Sequence, residues 1–204
     1  MSPTTQTAVV QTTKSSSSHL PFTVSSSAPV PKISSAHHVL VRVLAVALNP
    51  NDHKMAMHFN MPGSVAGCDF CGIVVAAYPG NTNGFGSTES PPLSPSDARA
   101  RLLIGTRVCG ALFPYNPSDP ENGSFAQYCV ADARLLVKVP GGWDDLEAAS
   151  MGVGWSTISL ATSDPNALAL EGLPTTPTHT GKDPVLVYGG GTASGTLACQ
   201  ILSL

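Results

Sequence analysis

Charge is scarce in this chain: only 11% of its 204 residues are Asp, Glu, Lys or Arg, and the formal net charge is −3. That balance excludes the basic surfaces through which proteins hold nucleic acid or anionic membranes. Long apolar runs are missing too, none reaching the roughly 18 residues that a membrane span requires. The first thirty residues contain no acidic residue, Lys14 is their only lysine or arginine, and no arginine precedes Arg42. Their many serines therefore come without the arginines of a transit peptide. The five cysteines, Cys68, Cys71, Cys109, Cys129 and Cys199, are an odd number in a chain without a signal-peptide pattern. A reduced, cytoplasmic setting without disulfides is the simpler expectation. A second Cys-x-x-Cys is lacking as well, and no histidine stands at metal-ligand spacing around Cys68 and Cys71, so burial as small hydrophobes outranks a zinc or redox role for that pair.

What is present is apolar mass in short pieces, with 42% hydrophobic residues, 19 glycines and 18 prolines. Thr7 to Gln11 and Leu20 to Val24 read as short strands around the polar segment from Thr12 to Ser18, with residues 1 to 6 as a tail. Val39 to Leu48 is continuously apolar except for Arg42, which predicts a strand buried on both faces. It runs into Asn49-Pro-Asn-Asp-His-Lys-Met55. There Asn49 suits a helix cap, Pro50 the first helical position and Asp52 the positive end of the helix dipole.

Gly67-Cys-Asp-Phe-Cys-Gly72 leads into a strand from Ile73 to Ala77. Residues 79 to 104 have loop composition, with at most a helical turn at Ser96 to Leu103. Gly105 to Leu112, Asn122 to Val130 and Leu135 to Pro140 read as further strands. Short strands at close spacing, separated by Gly and Pro turns, predict a mostly β barrel over residues 1 to about 140. Asp144 with Glu147 then resembles a capping box, and a second helix is expected around Trp155 to Leu170, before the Pro/Thr-rich link from Leu173 to His179.

The last stretch has a different grammar. Val185 to Tyr188 is apolar, three glycines follow at 189 to 191, and Leu197, Ala198, Ile201 and Leu202 recur at helical spacing. This predicts strand, tight turn and helix, the opening of a dinucleotide-binding unit. The fold class expected is α/β: a barrel over residues 1–150, then bridging helices and the first βα unit of a Rossmann domain over residues 151–204.

Six motifs in this order carry a resemblance: Val39 to Lys54, Gly67-Cys-Asp-Phe-Cys-Gly72, Gly105-Thr-Arg-Val-Cys-Gly110, Asn122-Gly-Ser-Phe-Ala-Gln-Tyr128, Lys138-Val-Pro140 and Val185-Leu-Val-Tyr-Gly-Gly190. Together the chain resembles the medium-chain dehydrogenase/reductase superfamily, with its GroES-like barrel ahead of a Rossmann domain. Within it the chain most resembles the fungal trans-acting enoyl reductases that serve polyketide synthases. The resemblance implies an NADPH-dependent reduction of an enoyl thioester, carried on the acyl carrier domain of a polyketide or hybrid polyketide-peptide synthase. It also implies zinc independence, since Cys68-Asp69 stands where zinc members usually have His-Glu and no cysteine lies near Asn49 and Pro50.

By the same resemblance, Asn51, Asp52, His53 and Lys54 line the nicotinamide side of the cofactor, with Lys54 positioning it or supplying positive charge. Gly191, Thr192, Ala193 and Ser194 match the phosphate-binding turn, supported by Gly189 and Gly195. Ile158, Ser159, Leu160, Ala161, Thr162, Ser163, Asp164 and Pro165 match a segment that touches substrate. A lone βα unit at the end implies a family member shortened at its C-terminus. Two rivals stay open: a zinc-independent quinone or enal reductase acting on free small molecules, and a non-catalytic remnant.

Overall fold

The computed structural model describes residues 3–13, 20–77, 104–170 and 184–203. Nearly all of the long connection expected from 79 to 104 and the Pro/Thr-rich link fall outside that range. By its internal contacts the chain divides into two compact units, Met1–Gly152 and Val153–Leu204.

In the first unit β1 (Thr5–Gln11) and β2 (Phe22–Pro29) form an antiparallel pair. A five-stranded sheet is built from β3 (His38–Ala47), β4 (Asp69–Ala77), β5 (Arg107–Ala111), β6 (Tyr128–Asp132) and β7 (Val137–Lys138), in the order β6-β3-β4-β5-β7. Isolated bridges from Ala8 to Ala126 and from Val10 to Val65 stitch β1 to the rest of the unit. Helix α1 (Pro50–His58) follows β3, and α2 (Asp145–Ala149) follows β7.

Alternation explains the core. Val39, Val41, Phe70, Val74, Val108, Cys129 and Ala131 are buried together on the sheet, and sinking a side chain the size of Phe70 contributes about 1.5–3 kcal/mol. Cys71 and Cys109, opposite one another across β4 and β5, pack with Val139, Ala148 and Ala149. Cys68 and Cys71 are buried, as expected, and so are Cys109 and Cys129, while Cys199 is exposed. Burial above all pushes the Cys71 thiol up to about 12, the Asp145 carboxylate adding to it.

Several expectations are corrected here. β3 is buried on both faces only from Val39 to Val41; from Arg42 onward exposed and half-buried residues alternate, because that end of the strand is covered on one side. The tail stops early: Thr5 and Gln6 already belong to β1, where buried Gln6 donates to the Pro29 carbonyl and accepts from the Tyr128 N–H. β2 extends through Ser25–Ser27, since pairing with β1 outweighs the weak strand preference of serine. Between Asn122 and Gln127 there is no strand. Instead the Asn122 side chain donates to the Val130 carbonyl at 2.8 Å and accepts its N–H at 3.0 Å, standing in for a neighbouring strand. Before β7, a 3-10 turn occupies Ala133–Leu135, capped by the Asp132 carboxylate.

The expected capping box is present at α2, where Asp144 Oδ1 accepts from Glu147 N at 2.7 Å and Glu147 Oε2 accepts from Asp144 N at 3.0 Å. In the second unit α3 runs Gly152–Ser163, the first of these residues belonging to the first unit, and α4 runs Ala193–Ile201. α3 stops short of the expected Leu170 because Pro165 removes a donor and disfavours helix in the residue before it. The strand expected from Val185 to Tyr188 is not formed. That run finds no hydrogen-bonding neighbour among the described residues, and Leu186 and Tyr188 are 91% and 100% exposed.

Candidate functional site

The residues singled out in the sequence fall into two sets, one centred on α1 in the first unit and one in the second. α1 starts where β3 ends. Pro50 opens it, and Phe59 N–H closes it on the Met55 carbonyl at 2.7 Å. Its buried side is Asp52, Met55 and Ala56; Asn51, His53 and Lys54 are exposed. Met55 and Ala56 pack with Ala66 and Tyr115.

Both ends of this helix are tied by side chains from elsewhere. At the C-terminal end, buried Gln11 of β1 donates from Nε2 to the Ala56 carbonyl at 2.6 Å and the Phe59 carbonyl at 2.7 Å. Its Oε1 accepts from Met61 N at 2.7 Å. At the N-terminal end, Asp52 is 4% exposed and its carboxylate is fully engaged: Oδ2 accepts from Asn49 N at 2.7 Å and Oδ1 from Cys68 N at 3.1 Å. Asn49 Nδ2 in turn donates to Asp69 Oδ2 at 2.9 Å.

Asp52 therefore sits apart from its expected companions. It faces inward and holds the turn, while Asn51, His53 and Lys54 face outward. Among the described residues Lys54 makes no hydrogen bond or ion pair, so its ammonium is available to a ligand. Asn51 Nδ2 lies 3.0 Å from Met55 Sδ and 4.0 Å from Cys68 Sγ. Burial, followed by the Asp52 carboxylate, pushes the Cys68 thiol far up, so it stays protonated. Burial likewise raises the Tyr115 phenol. Tyr115 holds a left-handed backbone, φ 58°, which costs a non-glycine residue about 1–2 kcal/mol.

The second set is organised by glycine. Gly189 has φ +84°, and a Cβ at Gly195 would lie 2.2 Å from the Gly189 carbonyl oxygen, so neither position admits a side chain without strain. Thr192 caps α4: its Oγ1 accepts from Gly195 N at 3.1 Å and donates to the Gly189 carbonyl at 2.9 Å. The Thr192 hydroxyl is thus occupied in the turn itself. Gly191, Ala193 and Ser194 follow one another around the same turn and into the helix, all exposed or half-buried.

Across the segment expected to meet substrate, Ile158 is buried and Leu160 is exposed, while Ser159, Ala161 and Thr162 lie between. The polar side chains are committed locally. Thr162 Oγ1 donates to the Ile158 carbonyl at 2.8 Å, Ser163 Oγ to the Ser159 carbonyl at 2.6 Å, and Asp164 Oδ1 accepts from Asn166 N at 2.7 Å. α3 ends at Ser163, leaving Asp164 and Pro165 beyond it. Helix packing inside this unit runs through Gly154, where a Cβ would stand 2.8 Å from Leu197 Cδ1.

Gln11 and Tyr115, both important to the first set, carried no signal, and the part that Asp69 plays there was not read. Gln11 is 45 and 48 positions from the carbonyls it binds, a distance no periodicity reaches. Asp69 did carry a hint, an acidic residue between apolar neighbours at the mouth of a strand. A hollow of about 300 Å³ in the first unit, lined by His38, Leu112, Asp119, Asp132 and Leu136 among others, contains none of the expected residues. Among the described residues no group of three or more His, Cys, Asp or Glu could hold a metal ion, and no helix is long and apolar enough to cross a membrane.

Comparison with known proteins matches residues 35–141 to the alcohol dehydrogenase GroES-like domain. The chain is 69% identical over 204 residues to the trans-enoyl reductase calK of Penicillium decumbens, covering 100% of this chain and 52% of that protein. It is 50% identical over 200 residues to the trans-enoyl reductase sthE of Phaeosphaeria nodorum, covering 98% and 49%. It thus spans about half the length of these curated relatives. Among solved structures it is similar in fold to the quinone oxidoreductase of Coxiella burnetii, with a TM-score of 0.63 and 20% identity, covering 97% of this chain and 53% of that one.

Proposed function

The chain belongs to the alcohol dehydrogenase GroES-like family, and from that membership we propose that it is a trans-acting enoyl reductase, or the N-terminal part of one. The likeness to calK along the whole chain is the observation that carries this reading. In it, NADPH when bound supplies hydride to the β-carbon of an enoyl thioester, with a proton added at the α-carbon.

The residues present suit such a cofactor. A glycine turn with a left-handed backbone at Gly189 and no room for a side chain at Gly195 lets backbone come close to a ligand, and the N–H groups of Ala193 and Ser194 at the start of α4 are the ones a pyrophosphate would take. Asn51, His53 and Lys54 offer the exposed face of α1 to the nicotinamide side. Asp52 supports that face from beneath rather than by contact. Lys54, a compact cation on a flexible stem, can place positive charge beside a carbonyl that gathers electrons during reduction. Leu160 and Ala161 supply apolar surface for an acyl chain with Ile158 buried behind them, and Ser159, Thr162, Ser163, Asp164 and Pro165 shape that segment.

The reading includes independence from zinc. It rests on the residues at the places where zinc members usually carry ligands: Cys68-Asp69 replaces His-Glu, and Asn49 is hydrogen-bonded to Asp69. It also includes a synthase partner, a polyketide or hybrid polyketide-peptide synthase whose carrier domain presents the substrate, and a domain division at about residue 150, with nucleotide binding assigned to residues 151–204.

The test is consumption of NADPH, followed by its absorbance, with a carrier-bound enoyl thioester and with a free quinone. The reading expects turnover of the thioester and its loss in Lys54→Ala. Turnover of free quinone alone would point to the rival reductase reading. Absence of both would overturn the reading.

A further inference from the structure

We propose that Asp69 is the positioning residue of the first unit, fixing the start of α1 through Asn49 and thereby the place of Lys54. Three observations converge on its carboxylate. Asp69 is 2% exposed at the first position of β4, paired with Ala47 on β3 and Ala111 on β5, so the sheet fixes its backbone on both sides. Its Oδ2 accepts from Asn49 Nδ2 at 2.9 Å, and Asn49 is the residue that precedes α1. Its Oδ1 lies against the backbone of Gly152: a Cβ there would come within 2.5 Å of that oxygen and 2.4 Å of the Gly110 carbonyl oxygen.

The carboxylate is therefore enclosed between Asn49 and Gly152 and cannot swing away without one of them moving. Asn49 is gripped twice, by its N–H to Asp52 and by its side chain to Asp69. Asp52 belongs to α1 and reaches the backbone N–H of Cys68, just before β4. Asp69 belongs to the sheet, so it makes the side-chain link from Asn49 to a rigid frame. Charge-assisted hydrogen bonds are about twice as strong as neutral ones, which suits a carboxylate to that place. Lys54 has no tether of its own among the described residues, so the frame that sets α1 sets Lys54. The consequence for catalysis rests on the reading of Lys54 above; the mechanical claim does not.

The test is amide hydrogen exchange on the intact chain, read at Asp52 to Ala56 in α1 and at Val41 and Val74 in the sheet. Asp69→Ala should speed exchange in α1 by about tenfold, the loss of one strong hydrogen bond, and leave the sheet residues unchanged. Asn49→Asp, which sets two carboxylates against each other, should do at least as much. The double exchange Asn49→Asp with Asp69→Asn restores a carboxylate-amide pair with donor and acceptor reversed, and should return α1 most of the way to the parent rate. Space filling alone would predict no such rescue.

Unchanged α1 exchange in Asp69→Ala, or a double variant no better than Asn49→Asp, would overturn the proposal. If Asp69→Ala fails to fold, the comparison of Asn49→Asp with the double variant still decides it. No turnover is needed for this readout, so a chain that fails to reduce an enoyl thioester would count against the reductase reading alone.

Discussion

The two regions that carry expected cofactor residues are held in opposite ways. α1 is tied at its C-terminal end by Gln11, from 45 to 50 positions away, and at its N-terminal end by hydrogen bonds reaching Cys68 and Asp69, 16 and 20 positions away. The glycine turn before α4 is held by bonds between residues three to six apart: Thr192 with Gly189 and Gly195, and Thr196 Oγ1 with the Gly190 carbonyl. The run leading into it is exposed at Val185, Leu186 and Tyr188. Long-range ties set α1 as part of the sheet's cooperative unit, whereas the turn's conformation is written in its own glycines and threonine. The first should melt with the unit's core; the second should open locally at lower cost.

The strongest way to break that contrast is Gln11→Ala. It strands the Ala56 and Phe59 carbonyls and the Met61 N–H, at a loss of roughly 3 kcal/mol when buried polar groups go unpaired. Urea unfolding monitored on the first unit should show it; a loss below about 1 kcal/mol would mean α1 is not held from β1. Gly195→Ala probes the other region. Its Cβ would meet the Gly189 carbonyl oxygen at 2.2 Å, and opening the turn should cost roughly 2 kcal/mol. Exchange should rise in α4 and stay unchanged in α1; a global loss of stability would erase the distinction between the regions.

Alkaline pH sharpens the comparison from the core side. Burial raises the Cys129 thiol, so the folded protein keeps that proton after the unfolded chain has released it, above about pH 8.5. Its contribution is complete below that pH and declines by about 1.4 kcal/mol per pH unit above it, until the folded thiol ionises. Urea midpoints between pH 8 and 10 should fall, and Cys129→Ala should fall less steeply from a lower start, if about one thiol's worth of linkage is removed. The smallest effect is expected from Thr192→Ala, about 1 kcal/mol for a lost helix cap, visible as reduced protection at the first turn of α4.

The same contrast explains what could be read from the residues. Features decided locally were legible: the helix opening at Pro50, the Asp144 and Glu147 capping box, the turn at Gly189 and the helix after it. Features decided by neighbours were not. Ser25 to Ser27 form a strand because β1 lies beside them, and Val185 to Tyr188 do not form one because no described residue pairs with them. Arg42 onward looked doubly buried because apolar side chains continue, although one face there is open. At the candidate site the helix was legible from Asn49-Pro50, and the motif order singled out Asn51, Asp52, His53 and Lys54 together without separating inward from outward residues. That Asp52 faces inward depends on the Cys68 N–H, which the local pattern around Asp52 does not place.

The most direct test of the central claim is a titration of the isotope-labelled chain with NADPH, following backbone amide shifts. Saturable shifts are expected at Lys54 in the first unit and at Ala193 and Ser194 in the second, with Asp52 moving least because its carboxylate is already bound. Saturating NADPH that moves none of these amides would contradict that claim.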